Sequence, residues 1–98
     1  MMPKKILTII EDLFNKTENG DLEWGYNDEL ATVYITIQDR EYEISYNFLE
    51  TYEEGQFRLK ITKHGHDSST DYYYDVRESE NDYDKLKNLY DSAQASNL

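Results

Sequence analysis

His64-Gly65-His66-Asp67 holds both histidines of the chain, and imidazoles beside a carboxylate are the residue types that ligate a divalent metal. Gly65 loosens the spacing, and the chain has no Cys to complete a zinc set. The stretch therefore reads as a turn between strands. Residues 15 to 23 echo a calcium loop. Asn15, Thr17, Asn19, Gly20 and Leu22 fall where such loops place ligands, a glycine and an apolar residue. Tyr26 stands where the bidentate glutamate is required, and Asn15 replaces the usual first aspartate, so the run reads as a helix stop and a strand start. Ser68, His64 and Asp71 have the types of a nucleophilic triad but lack the strand–turn–helix elbow that would expose the serine. Hydrolytic carboxylate pairs need one acid in an apolar setting, whereas the acids here fall in polar runs. No glycine-rich phosphate loop occurs. The expectation is a non-enzymatic protein without metal or cofactor.

What remains is charge and aromatic surface. The 98 residues carry a net charge of −11, with 21 acids against 10 lysines and arginines. Small domains are comfortable at a magnitude of about 2–8. Self-repulsion at this excess opposes compaction, so the excess asks for a reason. It also excludes non-specific binding to nucleic acid and disfavours anionic membranes. The acids concentrate in residues 11 to 29, at Glu50, Glu53 and Glu54, and in residues 67 to 84, which contain the segment DYYYDVRESENDYD. Residues 55 to 66 are the exception, with Arg58, Lys60 and Lys63 and no acid.

These residues must be placed by a small fold. Ten tyrosines argue against disorder, and the length suits one domain. Ile6, Leu7, Ile9, Ile10, Leu13 and Phe14 repeat at helical spacing, and Pro3 and Gly20 suit the ends, which predicts a helix over 3–17. Leu22 to Tyr26 is a short strand candidate, with Trp24 expected in the core, followed by a turn at Asn27-Asp28. Val33, Ile35 and Ile37, then Tyr42, Ile44 and Tyr46, alternate with polar residues on either side of Asp39-Arg40, as a β-hairpin does. Phe57, Leu59 and Ile61 make a further strand, and Tyr72, Tyr74 and Val76 a last one. Ser79 and Asp82 resemble a capping box ahead of Tyr83, Leu86, Leu89, Tyr90 and Ala93, which lie on one helical face. The fold class is α+β: an N-terminal helix, a four- to five-stranded antiparallel meander and a C-terminal helix, with both helices on one sheet face. Tyr72 and Tyr74 are expected in the core, and Tyr73 outside among acids.

Outward residues two apart on a strand lie about 6.6 Å from each other. Glu41 with Glu43, and Asp71 with Asp75 on either side of Tyr73, are thus expected to form rows of negative charge. A nucleic-acid strand presents a phosphate at about every 3.4 Å of rise, so such rows could compete for a site built to grip phosphates. The residues expected to meet a partner are Asp71, Tyr73, Asp75, Glu78, Glu80, Asp82 and Asp84, with Glu41, Glu43 and Tyr34.

In length, acidity, absence of Cys and the acidic, Tyr-rich segment, the chain resembles the small acidic inhibitors of phages and mobile elements, of the anti-CRISPR and DNA-mimic anti-restriction type. It is also similar in size and charge to toxin immunity proteins. The resemblance rests on no motif and assigns no residue. It implies a partner with a basic protein surface, such as a nucleic-acid-binding protein, and no direct contact with nucleic acid or membrane. The alternative is an accessory or structural module that homodimerises through its open sheet face, its acidity serving solubility alone. Without a hydrophobic span or cysteines, a cytoplasmic protein is expected.

Overall fold

The computed structural model describes residues 2–98. Its elements are α1 (Lys4–Glu18), β1 (Gly25–Asn27), β2 (Thr32–Ile37), β3 (Arg40–Leu49), β4 (Glu54–His64), β5 (Ser69–Arg77) and α2 (Tyr83–Ala95). The strands form one antiparallel sheet in the order β1-β2-β3-β4-β5. Successive strands are neighbours, so every connection is local and the fold is an α+β meander flanked by helices.

Period two along the strands and period 3.6 along the helices meet in one core. Ile6, Ile10 and Leu13 of α1 are buried, as are Leu86, Leu89 and Ala93 of α2. They share a cluster with Val33, Ile44, Leu59 and Val76 from the inner sheet face. Both helices cover that face, and α2 also packs against α1. The helices run parallel. The Met2 N–H bonds the Asp82 carboxylate near both helix starts, and the Ser92 hydroxyl bonds Glu18 near both ends. Gly20 closes α1 at φ +85, a conformation that residues with a Cβ rarely adopt.

Trp24 lies in the core, as expected, but ahead of β1 rather than within it. Its indole Nε1 donates to the Thr17 Oγ1 at 2.9 Å, and its backbone N–H donates to Ser96 Oγ at 2.9 Å. The connector is thereby tied to the last turns of both helices.

Four expectations are corrected: that Tyr46, Tyr72 and Tyr74 lie in the core, and that a capping box starts the second helix. Tyr72 faces inward but is 45% exposed, and Tyr74 is only half-buried. Tyr46 is likewise exposed, although its ring leans on Phe57 at 5.1 Å. All three alternate as core residues should, but helical cover is incomplete over the start of β5 and the end of β3. The capping box does not form either. α2 starts at Tyr83 with Asp82 as N-cap and no side-chain cap bond. The Ser79 hydroxyl instead donates to Glu54 across the chain at 3.2 Å.

Candidate partner-binding surfaces

The helices leave the outer sheet face open, and strand parity sorts the charges there. β3 presents Glu41 and Glu43, β4 presents Arg58 and Lys60, and β5 presents Asp71, Tyr73 and Asp75. Arg58 Nε donates to Asp75 Oδ1 at 2.7 Å and its Nη2 to Oδ2 at 3.1 Å. Asp75 accordingly raises the Arg58 pKa. Lys60 lies directly opposite Glu43 and stands 5.9 Å from the Tyr73 ring centre. Asp71 accepts the Thr62 hydroxyl at 2.8 Å, and His64 Nε2 pairs with Glu41 Oε2 at 2.9 Å. Thus neither His64 nor Asp71 turns toward Ser68.

Basic β4 therefore separates acidic β3 from acidic β5. The expected rows of carboxylates exist as geometry but not as an uninterrupted negative field, because the strand between them pairs Arg58 with Asp75 and sets Lys60 opposite Glu43. Tyr34 and Tyr73 end one cross-strand row, Tyr34–Glu43–Lys60–Tyr73, at 51% and 53% exposure. The Tyr34 ring lies over Gly25, where a Cβ would strike it. The absent side chain at that position is what lets the aromatic ring lie flat at the sheet edge.

Of the remaining expected residues, Glu78 and Glu80 lie elsewhere, at the end of the sheet where β3 turns into β4 and β5 leaves for α2. The Glu78 N–H donates to the Gly55 carbonyl at 2.9 Å, and the Gly55 N–H donates to Glu78 Oε1 at 3.2 Å. These bonds join the 50–53 turn to the 78–82 loop. Glu78 and Glu80 thereby come to the same end as Glu54, whereas the Asp82 carboxylate accepts the Met2 N–H and Asp84 lies in the first turn of α2. Arg77 opposes Glu54 and Glu80: its Nε lies 3.4 Å from Glu54 Oε1 and 3.9 Å from Glu80 Oε1. Glu80 also accepts the Arg77 backbone N–H at 2.9 Å, and this bond, with the guanidinium, holds its carboxyl below the usual range. Glu50, Glu53 and Asp84 project into solvent.

Two aromatic residues stand in this acidic end that the sequence reading did not single out. Phe48 is 52% exposed and Tyr52 61% exposed, with the Arg77 guanidinium 4.6 Å from the Tyr52 ring centre. Phe48 continues the inward alternation of β3, yet it lies beyond Tyr46, where the helical cover has already stopped. The available signal was its place at the strand end, immediately before the polar run Glu50 to Glu54.

Among the described residues no group of three or more His, Cys, Asp or Glu side chains is placed to hold a metal ion, and no helix is long and apolar enough to cross a membrane. No protein-family model, curated protein or solved structure matches this chain.

Proposed function

We propose that this is a non-enzymatic binding protein that occupies a basic surface of a partner protein with its acidic end. One observation carries the reading: Phe48 and Tyr52 stand exposed beside Glu50, Glu53 and Glu54 at the β3–β4 turn, which hydrogen bonds join to Glu78. Carboxylates steer an encounter with a positive patch, whereas exposed aromatics supply the desolvated anchors that hold it. A surface that grips phosphates is the natural target for this charge. Occupying it would inhibit the partner, as anti-defence and immunity proteins do, and the cytoplasm is where such a partner would be met. The carboxylate rows of the sheet support this less than the acidic end, because Arg58 and Lys60 stand between them.

The test compares capture from the native host by the wild-type chain and by a variant with Glu50→Gln, Glu53→Asn and Asp84→Asn. All three positions are exposed, so the fold should survive. Asn suits position 53, where φ is +52. A partner retained by wild type at low salt, released at high salt and lost by the variant is the expected result. A partner held equally by both chains, in a salt-independent manner, refutes the reading.

The homodimer reading has its own support. A two-fold interface must be self-complementary, and an outer face of alternating acidic and basic strands ending in Tyr34 and Tyr73 can be. A dimer mass that persists at high salt and is lost with Tyr73→Ala would favour it.

A further inference from the structure

The start of β5 is bare on the side where helical cover was expected, and the space above it is a cleft of about 230 Å³. Ile6 and Ile9 of α1, Ile61 of β4, and Tyr72 and Tyr74 of β5 line it, together with Lys5, Arg40 and Lys63. Arg40 and Lys63 are direct cross-strand partners. Their Cβ atoms are therefore about 4.5–5.5 Å apart, and like charges so placed oppose folding. Lys5 adds a third cation from α1. No Asp or Glu lines the cleft, and none of these three cations forms an ion pair among the described residues. The Tyr42 side chain, and to a lesser degree Asp39, raises the Arg40 pKa, so the guanidinium is charged at any physiological pH.

Such a cluster is the reverse of what the composition would produce by default. A chain with 21 acids and 10 bases has carboxylates to spare, yet none lines the cleft, and the one that acts on Arg40 is its chain neighbour Asp39. Uncovered aliphatic and tyrosine surface beside cations that form no ion pair among the described residues is the pattern of a ligand site: apolar walls with few convergent polar groups. We infer that this cleft binds a small organic anion. Its carboxylate or phosphate is held by Lys5, Arg40 and Lys63, and its apolar body lies against Ile6, Ile9, Ile61 and the rings of Tyr72 and Tyr74. The volume suits a group of roughly single-ring size, below the usual range of about 300 Å³ upward for drug-sized ligands. The site lies apart from the acidic end and does not depend on it.

Phenyl phosphate and benzoate are the probes, titrated into the isotopically labelled full chain and followed by amide NMR shifts. Phenol and inorganic phosphate serve as controls that each lack one half of the chemistry. At least one probe should shift the amides of Lys5, Arg40, Lys63 and Tyr72, and should bind roughly tenfold more tightly than either control. The probe that binds tells phosphate from carboxylate. Lys63→Glu places a carboxylate opposite Arg40. It should weaken binding by roughly tenfold or more and leave the melting temperature at or above that of wild type, so that the loss is not one of folding. Several outcomes overturn the inference: no localised shift with either probe, inorganic phosphate binding as well as phenyl phosphate, or undiminished binding by Lys63→Glu. Self-association abolished by Lys63→Glu would overturn it too, since a second copy would then fill the cleft.

Discussion

Thr17 shows how one side chain can settle the position of another. Its hydroxyl donates to the Leu13 carbonyl at 2.7 Å and accepts the Trp24 indole N–H at 2.9 Å, both within the core. Thr17→Val keeps the shape and removes the acceptor, leaving a buried donor unsatisfied at a cost of about 1–3 kcal/mol. Thr17→Ser should recover most of that loss in a chemical denaturation series, because the oxygen returns. The burial of Trp24 was legible from its setting in a short apolar stretch. Its partner was not, since Thr17 looks like one more polar residue in the run Asn15 to Asn19. Tyr72 fails in the opposite direction: its parity was read correctly, but parity says only which way a side chain points. Whether anything stands above it depends on a helix far away in sequence.

At the scale of elements, periodicity was the reliable guide. It placed both helices and the four longer strands within a few residues, because each must bury a continuous face to be stable. Their ends followed rules of their own. The Ser79 signature lost to a tertiary bond with Glu54, and α2 begins at Tyr83 instead. That helix is anchored through Tyr83 and Tyr90, whose ring centres lie 5.3 and 5.0 Å from that of Phe57. Burial pushes the Tyr90 hydroxyl from 10.0 up to about 12. A tyrosine with a raised folded-state pKa contributes stability that is whole below its unfolded pKa and is lost as pH rises through the folded value. The melting temperature should therefore fall between about pH 10 and about pH 12. Tyr90→Phe should flatten that fall. An unchanged slope would show that Tyr90 is not what couples the helix to pH.

Across the whole molecule, charge acts twice and with opposite signs. The net −11 repels itself, so added salt should raise the melting temperature between about 10 and 150 mM as the screening length falls from about 30 to 8 Å. The same salt should weaken the proposed attachment to a basic partner. Stability and binding would then respond to salt in opposite directions. Binding that tightened with salt would point to the Tyr34–Tyr73 sheet face rather than the acidic end. The candidate site was only partly legible at this scale. Glu78, Glu80, Asp82 and Asp84 were named together from one stretch of chain, but Phe48, Tyr52 and Glu54, which the fold brings to Glu78 and Glu80, come from the β3–β4 turn.

By itself, the order of residues determined the composition of each face: which side of every strand is apolar, where the helices run, and how much negative charge the surface must carry. These are local matters, set by side-chain spacing and by the energetic cost of exposing apolar area. Only the tertiary structure decided which charges became neighbours. Antiparallel pairing put basic β4 between two acidic strands, joined two acidic loops through Gly55 and Glu78, and brought Lys5 across to Arg40 and Lys63. Coulomb energy depends on distance in space, and the chain alone reports only distance along itself.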